Sequence, residues 1–244
     1  MNSQIEGSSS DATRIARDPF SGAQIRFGVM GSAGGDFAAS SLELCRELGR
    51  AIAENGCCLL TGACPGLPHE AVLGAKEVGG HVIGISPAMS LKEHVETFGS
   101  PYKEYDVLIF TGLGLMGREL VNIRSCNIVI VVGGRSGTLG EFSIAYEEGK
   151  LIGVLTRTGG ITTALPALES TLGKKTGAEV IYDADPQRLI SLLLERYLSG
   201  SYVCPCDPEC AKAARESRED ADGYGGRSGS DIFMALLVKL DLEL

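Results

Sequence analysis

The stretch that most constrains this chain runs from Arg118 to Gly149, RELVNIRSCNIVIVVGGRSGTLGEFSIAYEEG. After one asparagine, residues 128–132 are an unbroken β-branched run, the composition of a strand covered on both faces in a parallel sheet. Residues 133–138, GGRSGT, then turn the chain sharply. Residues 139–148 are expected to form a helix, with Phe142, Ala145 and Tyr146 at near-helical spacing and Gly149 as its C-cap. A glycine loop between strand and helix exposes backbone N–H groups at a helix N-terminus, where the macrodipole favours an anion. Glu141 is expected in the first turn of that helix, and Arg118 and Arg124 precede the strand. A phosphate cradle, one carboxylate and two arginines therefore converge at one sheet edge.

The rest of the chain repeats the same unit. Strands are expected at residues 26–30, 57–60, 81–85, 106–110, 151–155 and 178–182, and helices from 40 or 41 to 54 and at 67–78, 161–172 and 186–198. Residues 88–99, with His94, read as a solvated helix, and 111–117 as a glycine loop able to close over a ligand. Strands alternating with helices give an α/β, doubly wound, mostly parallel sheet of about seven strands flanked by helices. Ligands of such sheets lie at the carboxyl ends of the strands, where the loops at Gly31-Ser32, Gly62 to Gly66 and Gly133 to Thr138 fall. Gly28, Gly31 and Gly34 do not have the dinucleotide spacing, and no acid ends the second strand, so a nicotinamide cofactor is not expected.

The motif Gly-Gly-Arg-Ser-Gly-Thr-Leu-Gly-Glu at 133–141 resembles the Pro-Gly-Gly-x-Gly-Thr-x-x-Glu signature of the LOG (Lonely Guy) proteins of the SLOG superfamily. Arg118 and Arg124 match that family's two upstream arginines, and "GG-x-VIG-I-x-P" is matched by residues 79–87. The resemblance spans residues 26–198 and implies a Rossmann-like fold, a homo-oligomer whose pocket a neighbouring subunit completes, and, in the characterised branch, hydrolysis of the N-glycosidic bond of N6-modified AMP. The family's older description as lysine decarboxylases implies no such activity here. This chain departs from the pattern in three places: Gly133 stands for the proline, Arg135 for the second glycine, and Glu119 for the lysine of the cytokinin-activating branch.

Composition narrows the partners. A formal charge of −9 argues against a non-specific nucleic-acid binder, although a few arginines and a glycine loop can still attract a phosphate. The loop at 135–138 also resembles the Arg-Ser-Gly-Ser loop of the DNA-processing protein A family, a reading the acidic balance opposes. Cys45, Cys57, Cys58, Cys64 and Cys126 fall in or beside predicted elements, which fits a reducing, cytoplasmic setting; no membrane partner is expected. Cys64 and His69 are too few for catalytic zinc, and no metal or other cofactor is expected. Residues 1–22 read as a disordered leader, 23–199 as the nucleotide-binding domain, and 200–244 as a tail carrying Cys204, Cys206 and Cys210, a glycine-rich linker and a short apolar end. The three tail thiols need a fourth ligand before they hold a metal.

Two functions follow from the motif. In the first, Glu141 stabilises the positive ribose as a nucleoside 5′-monophosphate loses its base, and Arg118 orients it. Gly134, Gly137 and Thr138 hold the phosphate, with Gly133, Arg135 and Ser136 around them, and Arg124 supports the loop. In the second, the site binds a nucleotide or a phosphate-bearing cofactor without turnover, as molybdenum-cofactor carriers of similar fold imply, and Arg135 clamps an extra phosphate or narrows the pocket.

Overall fold

The structure, a computed structural model, describes residues 15–19, 21–199 and 202. Most of the expected leader and nearly all of the expected tail, including Cys204, Cys206, Cys210 and the apolar end, lie outside the described residues. Seven strands, β1 (Arg26–Gly31), β2 (Cys58–Thr61), β3 (Val82–Ser86), β4 (Val107–Phe110), β5 (Ile128–Val132), β6 (Leu151–Leu155) and β7 (Glu179–Asp183), form one sheet in the order β4-β3-β2-β1-β5-β6-β7. Every pairing is parallel. The helices are α1 (Ala39–Glu54), α2 (Leu67–Glu77), α3 (Leu91–Glu96), α4 (Gly114–Arg124), α5 (Ser136–Glu147), α6 (Leu165–Leu172) and α7 (Pro186–Leu198).

β5 explains why its sequence does not alternate. Ile128, Ile130 and Val132 pack into the core beneath α1, α2 and α7, while Val129 and Val131 pack into the opposite core with Phe142 of α5 and Ile123 of α4. Both faces of the strand are therefore apolar, as a central parallel strand requires. On the first face α1 and α2 approach to backbone contact: a side chain at Gly49 would run into the Ala71 carbonyl, and one at Gly74 into that of Arg46. Arg46–Glu70 at 2.8 Å and Arg50–Glu77 at 2.7 Å bridge the same helix pair outside.

Four local expectations are corrected. α5 begins at Ser136, not 139, because Ser136, Gly137 and Thr138 wind into its first turn and Leu139 N–H bonds the Arg135 carbonyl at 2.9 Å; Glu141 is consequently one turn in. The expected loop at 111–117 is mostly the start of α4, which begins at Gly114. His94 is fully buried rather than solvated, held between Ser86 Oγ (2.8 Å) and the Pro101 carbonyl (2.9 Å), which pins α3 to the end of β3. Part of the expected leader is ordered. Ala16 N–H bonds the Gly56 carbonyl and Asn127 Nδ2 donates to Asp18 at 3.2 Å, so backbone groups beside β1 and β2 are satisfied by residues 16–18. At the other end Tyr202 is buried, donates to the Gly149 carbonyl at 2.7 Å and lies against Tyr197.

One edge is unusual. β4 is the last strand of the sheet, yet Val107, Ile109 and Phe110 are exposed. α4 beside it is turned inside out: Arg118, Glu119 and Asn122 are buried, whereas Leu113, Met116 and Leu120 face outward, Met116 at 75% exposure. A helix normally puts its apolar stripe inward; here the inward side serves something polar.

Candidate functional site

What α4 serves is a cavity of about 460 Å³. The chain runs outward from β1 to β4 on one side, then crosses back to β5 on the other, so the strand order reverses between β1 and β5. Loops leaving two neighbouring strands in opposite directions open a crevice at their carboxyl ends. The cavity occupies it, lined by residues 29–34 from β1 and its loop, 135–138 at the start of α5, and Gly62 and Cys64 after β2. Gly31 lets the two strands close beneath the crevice, because a side chain there would strike the Val132 carbonyl.

The α5 end of the cavity presents unpaired backbone donors. The N–H groups of Ser136, Gly137 and Thr138 belong to the first turn and have no acceptor within the helix. Arg135, immediately before them, reaches across the mouth and donates to the Gly34 carbonyl at 3.1 Å, linking the β1 and β5 loops. Ser32 Oγ donates to the same carbonyl at 3.0 Å. All six of these residues line the cavity.

At its inner wall Arg118 and Glu141 meet. They are 6% and 7% exposed, with Arg118 Nη1 3.7 Å from Glu141 Oε1. Arg118 Nη2 also donates to Cys64 Sγ at 3.6 Å, while its Nε is buried without a partner. Gly62 is required for this placement, since a side chain there would occupy the guanidinium position. Burial pushes the Glu141 carboxyl up to about 7; Arg118 opposes the rise and the neighbouring Glu119 adds to it. Burial likewise raises the Cys64 thiol, against the pull of Arg118. A carboxyl that exchanges its proton near neutrality, beside a fixed cation, can accept or return a proton during a reaction.

The structure gathers most of the residues singled out by sequence but not all. Arg118, Glu141, Gly31, Ser32, Gly62, Arg135, Ser136, Gly137 and Thr138 line one cavity. Arg124 does not: two turns further along α4, it is exposed and paired with Glu148 at 2.7 Å. Gly133, Gly134 and Gly66 shape the walls from behind. The Gly133 N–H is taken by Thr158 Oγ1 at 2.8 Å, and the Gly134 carbonyl accepts from Ile161 N–H at 2.9 Å. Both have positive φ, +54° and +96°, and a side chain at Gly134 would displace Thr138, so their role is the turn. Gly66, with φ of +85°, lets α2 start against the Ser32 carbonyl, which accepts from Leu67 N–H at 3.0 Å. Glu119 and Leu115 line the cavity without having been singled out as ligand contacts. The signal for Glu119 was the polar face of α4, visible as Arg118, Glu119 and Asn122 at helical spacing; Leu115 carried none. His69, weighed as a metal ligand, lies outside the cavity lining near Tyr105, with a ring-centroid distance of 6.5 Å. Among the described residues no three His, Cys, Asp or Glu side chains are grouped to hold a metal, and no helix is long and apolar enough to cross a membrane.

Known proteins are similar to this chain. The molybdenum cofactor carrier protein of Chlamydomonas reinhardtii is 30% identical and superposes with a TM-score of 0.60, over 73% of this chain and 99% of that one. An uncharacterized protein of Archaeoglobus fulgidus is 31% identical over 131 residues, which is 54% of this chain and 80% of the relative. DNA processing protein A from Streptococcus pneumoniae superposes with a TM-score of 0.51 over 68% of this chain and 61% of its own, but at 16% identity the likeness is one of fold alone. The crevice between β1 and β5, with the loops and helices that line it, falls within residues 24–190; this whole segment matches the SLOG cluster4 family, to which the chain belongs.

Proposed function

We propose that the cavity binds a nucleoside 5′-monophosphate and that Glu141 supports hydrolysis of its N-glycosidic bond, releasing free base and ribose 5-phosphate. The observation that carries this reading is the buried Glu141–Arg118 pair one helical turn from the N–H groups of Ser136, Gly137 and Thr138. A phosphate on those N–H groups sets the ribose beside the carboxylate. As the C1′–N bond breaks, its electron pair leaves with the base and positive charge grows on the ribose, which ionised Glu141 stabilises. Water adds to C1′ and its proton passes to Glu141; the departing base nitrogen takes up a proton from solvent as Glu141 returns its own to solvent, so the carboxylate ends ionised as it began. Arg118 holds Glu141 in place and keeps part of it ionised near neutral pH. The purified chain incubated with AMP, N6-substituted AMPs, CMP and GMP tests this: release of free base that disappears in Glu141→Gln supports it, and full activity in that variant overturns it.

A second reading is binding without turnover. Arg135 favours it, a cation at the mouth where the LOG signature has glycine, together with the 30% identity to a molybdenum cofactor carrier protein. A nucleotide or pterin that raises the melting temperature yet stays intact would select this reading.

The same proposal includes a homo-oligomer. Leu113, Met116 and Leu120 at and along α4, and Val107, Ile109 and Phe110 of edge strand β4, are exposed apolar side chains that a second copy would cover. Leu115 belongs to both this set and the cavity lining, so assembly also bounds the site. Light scattering should give a mass above 25.6 kDa that falls to that of the single chain in Met116→Lys/Ile109→Lys; a native protein that is monomeric at tens of micromolar would refute it.

A further inference from the structure

Four acidic side chains are buried among the described residues, and three have partners. Asp18 bonds Ser21 and Asn127, Asp183 pairs with Arg188, and Glu141 faces Arg118. The exception is Glu119. It is 6% exposed, lines the cavity, and no hydrogen bond or ion pair from a described residue reaches its carboxylate. Burial raises its carboxyl above the usual range while Arg118 opposes. Its oxygens lie along the glycine side of α5, 3.5 Å and 3.9 Å from where side chains on Gly140 and Gly137 would begin. No donor from a described residue claims this carboxylate, so its oxygens remain available to a ligand in the cavity.

We infer that Glu119 selects the heterocycle of the ligand: its two oxygens accept the paired N–H donors of a 2-amino-4-oxopyrimidine edge, the edge shared by guanine and pterins, and reject adenine. The inference rests on the reading of the cavity as the site of a phosphate-bearing heterocycle. Leu115, one turn before Glu119 on the same wall, supplies apolar surface for a flat ring, and Met30 and Val29 lie in the same lining. Charge points the same way. A phosphate at Ser136–Thr138 is anionic, so a second anion nearby needs the donor-rich end of the ligand rather than another acceptor. Guanine and pterin present ring N–H and exocyclic NH2 side by side, matching the parallel geometry a carboxylate accepts. Adenine presents a bare ring nitrogen there, which faces a carboxylate oxygen with like charge.

The test is equilibrium titration of the full chain and of Glu119→Gln with GMP, IMP, AMP, dGMP, 6-hydroxymethylpterin and ribose 5-phosphate, with free-base release followed alongside. The native protein should bind GMP about ten- to a hundredfold more tightly than AMP, with IMP, which keeps one of the two donors, between them. In Glu119→Gln the GMP-to-AMP ratio should collapse or invert, because a glutamine amide matches adenine's donor–acceptor edge, while ribose 5-phosphate still binds and the unliganded melting temperature does not fall. Preference for 6-hydroxymethylpterin over GMP, lost in the variant, supports the inference with a pterin as source; the reverse order supports it with a guanine nucleotide. Equal binding of GMP and AMP, or a ratio unmoved by the substitution while ribose 5-phosphate still binds, overturns it. So does a Glu119→Gln effect seen with GMP and absent with dGMP, which would assign Glu119 to the ribose hydroxyls. If neither ribose 5-phosphate nor any heterocycle binds, the reading of the cavity itself fails.

Discussion

Replacing Glu141 by glutamine should make the protein more stable at alkaline pH. The folded environment moves this carboxyl from its ordinary 4.5 to about 7, burial being the main cause. At 1.36 kcal/mol per pH unit, holding it ionised in the fold costs about 3 kcal/mol. Between those two values the unfolded chain has already lost the proton that the folded chain retains, so stability falls as pH rises. The contribution is full below about pH 4.5 and gone above about 7. The isoelectric point near 4.9 favours starting urea titrations at pH 5.5, where the protein keeps a net charge. From pH 5.5 to 8 the native protein should lose about 2 kcal/mol relative to Glu141→Gln, with the same denaturant slope in both. Glutamine keeps the volume and leaves Arg118 in place, so no cavity term confuses the comparison. Parallel stability curves over this range would refute the reasoning, and would mean that Glu141 is solvated or paired well enough to ionise normally. A side chain that destabilises its fold in the charged state is understandable where that charge is used by a ligand.

Further outcomes follow from single positions. Gly62→Ala should leave the fold intact but lower nucleotide affinity about tenfold or more, because the methyl group takes the place of the Arg118 guanidinium; unchanged titration curves would show that Arg118 is not needed there. Arg124→Ala should change stability by no more than about 0.5 kcal/mol and leave ligand binding alone, since its pair with Glu148 is exposed; a loss of binding would return Arg124 to the site. Gly74→Ala should destabilise by about 1–3 kcal/mol without touching the cavity, as a methyl group there forces α1 from α2, and a neutral result in urea would mean that the crossing has slack.

Much of the fold was legible because parallel α/β architecture writes itself locally. β5 needed two buried faces, and the run at 128–132 could satisfy nothing else. Gly149, expected to close α5, has φ of +66°, the left-handed cap its position suggested, and Gly79 beyond α2 has φ of +74°. Boundaries failed where polarity has two explanations. Ser136-Gly137-Thr138 has the composition of a turn, yet it forms the first turn of α5, where N–H groups have no acceptor within the helix. His94 looked solvated since α3 is otherwise exposed; its burial depends on Ser86 and Pro101, contacts no local pattern encodes.

The sequence by itself determined the alternation of strand and helix and the glycine loop before α5, because each rests on residue types at short separations, and it marked Arg118 and Glu141 as candidates for one site. Tertiary structure decided which motif residues belong to the cavity. It placed Arg124 on the surface with Glu148 and gave the Gly133 N–H to Thr158, and it drew Glu119 inward through the crossing of α4 against α5. Burial, not residue type, sets the ionisation of Glu141 and leaves Glu119 without a partner, and burial is a property of the packed chain.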